Sequence, residues 1–266
     1  EKKNPKQNRN STKHHSEGRK KHTNKRRRRV NIALCFSGKL GKWRESRNSI
    51  TENIIKPLKP DIFLSSWAGE DTFGFSKYYR PIKTSELDFL AHKKLIFRNG
   101  DNESLGIKPM CFGMLKSFEL VKRSKKKYDA IIRLRPDLSV REQIKKQELL
   151  NENSIRVPLY ESYSVYNHEK ELKKERSFNF VFEKQIIPKQ INDQIAIGDL
   201  KGMSKYMNIF NQIDQTINFL IKEGYPLYMS EVPESIITMA LRINNVKYSK
   251  LSGTSLFKNL DTKLIK

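Results

Sequence analysis

Tyr128-Asp129-Ala130-Ile131-Ile132-Arg133-Leu134-Arg135-Pro136-Asp137-Leu138 is the stretch on which the reading of this chain turns. Ala130 to Leu134 is a short apolar, β-prone run behind a Lys-rich connection. That is the pattern of a strand buried on both faces, not of a half-exposed one. Pro136 has no N–H to give a ladder, so pairing ends there. Two arginines and a carboxylate are therefore gathered at the carboxyl end of a buried strand, where open α/β sheets bind their ligands. Arg133 and Arg135 lie two residues apart and share a strand face. A buried arginine needs an anionic partner. One reading supplies it internally, pairing Arg135 with Asp137 or another carboxylate. The other makes this edge a site for an anion and a metal ion.

Working outward, Val30–Phe36 reads as a strand and Ser37-Gly38-Lys39-Leu40-Gly41-Lys42 as a tight loop. A helix follows from Trp43 to Lys56, with Trp43, Ile50 and Ile54 on one stripe and Pro57 closing it, and Asp61–Trp67 is the next strand. The unit is a βαβ crossover, expected to be right-handed. Its loop is neither a Walker A sequence nor G-x-G-x-x-G. Its amides and Lys39 nevertheless suit a phosphate at the helix start; the plainer reading is an ordinary βα turn. Residues 68–93 read as irregular, with a short helix over Ser85–Ala91 and a third strand at Lys94–Phe97. A helix is expected from Pro109 to Ser124, where Gly113 signals close packing or a nearby ligand. Residues 141–153 read as a charged helical excursion, and Ser154–Pro158 and Asn179–Phe182 as strands. In Ile191–Asp199 a polar entry, Asn192-Asp193-Gln194, precedes an alternating core. One long amphipathic helix then carries Met203, Tyr206, Met207, Phe210, Ile213, Ile217 and Leu220 and ends at Gly224. Ser230 is the expected cap of a helix with Pro233 in its first turn and Glu231 and Glu234 near its positive end. Val246–Leu251 is the last strand.

The 266 residues carry a net charge of +24, unevenly spread. Residues 1–29 hold 13 Lys/Arg against 2 Asp/Glu, a net +11, which leaves +13 for the rest. They contain no large apolar residue and read as a disordered basic tail, with residues 30–266 as a single domain. A basic body points to anionic ligands: nucleotides, acidic glycans or anionic surfaces. Lys25-Arg26-Arg27-Arg28-Arg29 reads as a solvated tail, or as a surface tether or localisation signal. No apolar run is long enough to span a membrane, and no signal-peptide pattern is present. Cys35 and Cys111, both in apolar contexts, read as buried free thiols of a reducing compartment.

Taken in order, Ala33-Leu34-Cys35-Phe36-Ser37-Gly38-Lys39-Leu40, Asp61-Ile62-Phe63 with Trp67, Arg133 through Asp137, Asn192-Asp193-Gln194, and Glu231 with Glu234 resemble one glycosyltransferase group. These are the GT-A-fold sugar-nucleotide transferases of bacterial surface-polysaccharide clusters and large DNA viruses. The similarity runs from about Val30 to Leu251. It implies a GT-A-like (Rossmann-like) α/β fold: a mixed, mainly parallel sheet with helices on both faces. It also implies a UDP- or GDP-sugar donor, a glycan or glycoprotein acceptor, a role in polysaccharide biosynthesis, and the cytoplasm of a bacterium or a virus-infected host cell. On that resemblance Phe36, Ser37, Gly38, Lys39, Trp67, Arg133, Arg135 and Asp137 bind the nucleotide sugar. Asp137 is the metal candidate, for Mn²⁺ or Mg²⁺. The chain departs from the group where a GT-A enzyme carries Asp-x-Asp to chelate the ion. Arg-Pro-Asp stands there, so Arg135 itself becomes a candidate to neutralise the diphosphate.

Such a transfer needs the leaving diphosphate stabilised. An inverting one also needs a carboxylate to take the acceptor's proton. Asp193 is the first candidate for base or acceptor positioning, and Glu231 and Glu234 are the second. The plain alternatives are a turn residue for Asp193 and helix-dipole compensation for the glutamates. Two other classes stay open. One is a basic nucleic-acid-binding protein, in which the tail binds nucleic acid or anionic surfaces non-specifically. The other is a different nucleotide-dependent transferase, such as a sulfotransferase.

Overall fold

Successive side chains of a strand point to opposite faces, so even the continuous apolar runs of this chain are shared between two faces of a sheet. The fold is described from a computed structural model, which covers residues 30–97, 106–146, 149, 154–160, 190–225, 232–251 and 257–259. In chain order the sheet-forming strands are β1 (Ile32–Ser37), β2 (Asp61–Trp67), β3 (Lys83–Leu87), β4 (Ala130–Leu134), β5 (Leu138–Val140), β6 (Ser154–Val157), β7 (Leu159–Tyr160), β8 (Gln190–Ile191), β9 (Ile195–Gly198), β10 (Lys247–Lys250) and β11 (Phe257–Asn259). Seven of them form one sheet in the order β10-β6-β9-β4-β1-β2-β3. β1, β2, β3 and β4 are mutually parallel, as are β6 and β10, while β9 runs antiparallel to both β4 and β6. β5 pairs with β11, and β7 with β8, as short antiparallel ribbons.

The helices are α1 (Trp43–Ile50), α2 (Lys56–Leu58), α3 (Thr72–Tyr79), α4 (Phe89–Ile96), α5 (Ile107–Arg123), α6 (Leu200–Met207), α7 (Ile213–Lys222) and α8 (Pro233–Ile243). Ile32, Leu34 and Phe36 of β1 pack with α1 and α3 on one face. Ala33 and Cys35 pack with α5 to α8 on the other. The mixed, mainly parallel sheet with helices on both faces is thus the architecture the sequence led us to expect. Both cysteines are free and buried.

Local chemistry explains where the elements depart from expectation. The stretch read as irregular contains α3, capped by the Asp71 carboxylate, which accepts from the Gly74 amide at 3.0 Å. Ser85–Ala91 is not a helix: Lys83–Leu87 is a strand that pairs with β2, and α4 starts only after Asp88 accepts from the Ala91 amide. Lys94–Phe97 is the end of α4 rather than a strand, because that cap starts a helix whose far end buries Ile96. The Trp43 helix passes through a π-helical turn at Thr51–Ile55 before α2. Pro57 has no N–H for the Asn53 carbonyl, and the Ile144 amide donates to it instead at 3.1 Å. Residues 141–145 form no helix. The expected long helix breaks at Asn208 into α6, a 3-10 turn (Ile209–Gln212) and α7. Asn208 accepts there from the Asn211 side chain, the local bonding by which asparagine competes with a helix. Val232, not Ser230, occupies the cap of α8. Ser230, the expected Asn179–Phe182 strand and the basic tail lie outside the described residues.

Candidate functional site at the carboxyl edge of the sheet

Because β1 and β4 are parallel, Ser37-Gly38 and Arg135-Pro136-Asp137 leave the sheet at the same edge. β9 is antiparallel to β4, so its entry, Asn192-Asp193-Gln194, returns to that edge, where the Gln194 carbonyl accepts from the Arg135 amide at 3.0 Å. Just before that entry, the amide of Ile191 in β8 donates to Thr238 Oγ1 on α8 at 2.9 Å, which ties the entry to the helix that carries Glu234 in its first turn. Four segments distant in sequence are thereby joined by pairing register and one helix anchor.

The loop after β1 holds Gly38 at φ +104°, a conformation glycine adopts readily. Its amide donates to the Ser65 carbonyl at 3.2 Å. A Cβ on Gly113 would lie 3.5 Å from the Gly38 nitrogen, so the glycine inside α5 marks the close approach of helix and loop. The amides of Leu40 and Gly41 donate to Glu70 Oε2 at 3.1 and 3.4 Å. The loop does bind an anion, therefore, and the anion is the chain's own carboxylate. Lys39 is exposed.

Arg135 and Asp137 form the internal pair. Nε donates to Oδ1 at 3.0 Å and Nη2 to Oδ2 at 2.7 Å, with side-chain exposures of 29% and 3%. This forked geometry is the strong form of an arginine–carboxylate contact. It occupies both oxygens of Asp137. No group of three or more His, Cys, Asp or Glu side chains able to hold a metal ion exists among the described residues. With both oxygens engaged by Arg135 and no further carboxylate grouped with it among the described residues, Asp137 by itself offers a divalent ion no chelating set.

Arg133 is wholly buried, between Cys35 of β1 and Ala196 of β9 in the sheet register. Its Nε donates to Ser37 Oγ at 3.2 Å. Its Nη1 and Nη2 have no hydrogen-bond partner, nor do the buried hydroxyls of Tyr206 and Ser65. A buried charge left without a partner costs on the order of several kcal/mol, even after relaxation. Burial pushes the Cys35 and Cys111 thiols up to about 12; the Arg133 charge opposes this at both, and at Cys35 a Ser117 hydrogen bond opposes it more. Burial raises Tyr206 as well, and there the charges of Arg133 and Asp193 act in opposite directions.

Asp193 is 7% exposed. Glu234, half-buried, is held above the usual carboxylate range, first by burial and next by the Asp193 charge, with Arg135 opposing more weakly. Two carboxylates and Arg135 thus feel one another at the edge where the strands end. A carboxyl whose proton affinity is raised by burial and by a neighbouring carboxylate is the pattern of an acid–base candidate.

The structure thus brings Ser37, Gly38, Arg133, Arg135, Asp137, Asp193 and Glu234 together. Two expectations need correction. Phe36 points to the opposite face and is core, its ring 5.0 Å from that of Phe75 and 5.2 Å from that of Tyr79. Trp67 is buried between Phe89 and Phe112, so its ring is spent on packing. Glu231 lies outside the described residues.

No family model matches the chain, and no match was found among curated proteins. Among solved structures it is similar to the apo form of mouse xyloside xylosyltransferase 1, with a TM-score of 0.45 and 13% identity over 84% of each chain. A likeness at that level fixes neither donor nor acceptor.

Three residues of the edge escaped the sequence reading. Tyr206 sat on an apolar helical stripe, and nothing linear shows that its hydroxyl has no partner. Ser65 looked like ordinary strand filler. Glu70 had one signal, an acidic Glu70-Asp71 pair facing a basic glycine loop. A cleft of about 940 Å³ opens at the other edge of the sheet, lined by Lys122, Lys201, Lys205, Asp129 and Asp199 among others. Asp129 accepts there from the Asn31 amide and Asp199 from the Gly202 amide, so both carboxylates serve the fold. No helix among the described residues is long and apolar enough to cross a membrane.

Proposed function

We propose that the chain is a glycosyltransferase, moving a sugar from a UDP- or GDP-sugar to a glycan or glycoprotein acceptor in polysaccharide biosynthesis. The observation that carries this is the meeting, at one sheet edge, of an arginine-bearing strand end with two carboxylates, Asp193 at the entry of β9 and Glu234 on the helix anchored beside it. Arg135 meets the diphosphate and stabilises the charge that develops as it leaves. Asp137 holds that guanidinium in position. Asp193 or Glu234 takes the acceptor's proton, the role for which a carboxylate of raised proton affinity is suited. With no fit for a divalent ion at Asp137, the leaving charge rests on Arg135. The supporting likeness is to the GT-A-fold group, and the residues favour neither a bacterial nor a viral source.

Thermal stabilisation of the full chain by a panel of nucleotides, sugar nucleotides and a nucleotide sulfate, with Mg²⁺ or Mn²⁺ and with chelator, tests the reading. The expected result is stabilisation by UDP- or GDP-sugars that persists in chelator, by about 2.7 kcal/mol at 100 times the dissociation constant. Donor hydrolysis or transfer should accompany it. Stabilisation by the nucleotide sulfate alone would move the chain to sulfotransfer, and no response to any nucleotide would overturn the proposal.

A further inference from the structure

The described residues include two buried cations, and the fold treats them differently. Lys108 is paired with Asp214 at 2.7 Å. Arg133, fully buried, spends only its Nε, on Ser37. Asp193 is close enough for its charge to be felt by the same Tyr206 hydroxyl, yet it forms no ion pair with Arg133. Among the buried polar groups without a partner are the two terminal nitrogens of Arg133, the Tyr206 hydroxyl, which the Arg133 charge reaches, and the Ser65 hydroxyl, next to the Ser37 that takes the Arg133 Nε. Ser65 lies beside Ser37 in register, on the same face of the sheet. The Ser37-Gly38 turn, whose Ser37 holds the Arg133 Nε, lies close against Gly113 of α5. A protein interior leaves few such groups unsatisfied, and each calls for an explanation.

We infer that Arg133, Tyr206 and Ser65 form an internal oxyanion receptor whose partner arrives with the ligand. This rests on the reading of the edge as a sugar-nucleotide site. The two terminal nitrogens of a guanidinium match two oxygens of one phosphate or carboxylate, and the hydroxyls supply the remaining donors. Two sources share that chemistry: the diphosphate of the donor, and the carboxylate of an acidic donor sugar. Because the receptor is closed, the Ser37–Gly41 loop moves when the ligand enters. The Glu70 carboxylate on the Leu40 and Gly41 amides is the contact that this movement must release.

The test measures melting temperature and ligand affinity for the native chain, R133M and Y206F. The probes are pyrophosphate, UDP, UDP-glucose and UDP-glucuronate. Replacing an uncompensated buried charge by an apolar side chain of similar length is stabilising. R133M should therefore melt about 4 °C or more above the native chain, where each kcal/mol is worth about 2–4 °C at this size. It should also lose its response to the anion. If the diphosphate is the partner, pyrophosphate and UDP lose their effect. If the sugar carboxylate is the partner, only the excess of UDP-glucuronate over UDP-glucose disappears. Y206F should hold its melting temperature and bind the same probe about 5- to 10-fold more weakly, the value of one buried hydrogen bond. A lower melting temperature for R133M with undiminished binding would reject the receptor. Should R133M not fold, unchanged affinity in Y206F would reject it. Sugar-nucleotide binding that is equal in all three proteins rejects the receptor and keeps the glycosyltransferase reading. Pyrophosphate binding lost in R133M, with no response to any sugar nucleotide, does the reverse.

Discussion

Asp137→Asn should melt well below the native protein, losing about 2–3 kcal/mol. A buried ion pair broken on one side costs about 3–5 kcal/mol, and the partial exposure of Arg135 lowers that figure. The amide keeps the shape of the carboxylate but cannot accept two charged N–H groups with both atoms. Arg135 is then left without its fork at the end of β4. Transfer should fall as well, because the guanidinium that meets the diphosphate is no longer held. Arg135→Lys should show the same pair of losses, since an ammonium cannot reproduce the bidentate contact. Thermal melts and donor turnover on one Asp137→Asn sample check this. An unchanged melting temperature, together with the loss of a cation-dependent ligand response, would return Asp137 to the role of metal ligand.

Asp193→Asn and Glu234→Gln should leave the fold standing and separate the two carboxylates by rate. Whichever acts as base should cost about 10²- to 10⁴-fold in transfer, the usual worth of a positioned general base. The other should cost much less. Stability against pH gives an independent reading of Glu234. Its proton is held more tightly in the folded chain than in the unfolded one. Its stabilising contribution is thus fully present below the ordinary carboxylate range and is lost as pH rises through the raised value. The native chain should therefore lose melting temperature across that window, and Glu234→Gln should not. Because Asp193 is the second cause of the shift, Asp193→Asn should move the window down without abolishing it. A native profile identical to that of Glu234→Gln would remove the electrostatic case for this residue.

The sheet was readable because its central strands are buried on both faces, and apolar runs such as Ile32–Phe36 and Ala130–Leu134 leave little else for them to be. The edge residues were readable for a related reason: Ser37-Gly38, Arg135-Pro136-Asp137 and Asn192-Asp193-Gln194 interrupt those runs with chemistry the core has no use for. Lys94–Phe97 misled because a short apolar run, Leu95-Ile96-Phe97, looks alike in a strand and in the last turn of a helix, and the deciding cap, Asp88, lies six residues before Lys94. Phe36 was assigned to the ligand by resemblance, as part of the strand-and-loop stretch Ala33–Leu40. The period of two turns adjacent residues to opposite faces, which sends Phe36 to the ring cluster of Phe75 and Tyr79. The partnerless state of Arg133 has no linear signature at all, since an arginine in an apolar strand reads the same whether or not a carboxylate meets it.

The central claim is that the nucleotide sits where β1 and β4 end. A crystal structure of the full chain grown with UDP or GDP tests it most directly. The diphosphate is predicted at the carboxyl edge, between Gly38 and Arg135, with Asp193 and Glu234 facing the open side. A nucleotide bound instead in the cleft of Lys122, Lys201 and Lys205, at the opposite edge of the sheet, would contradict it.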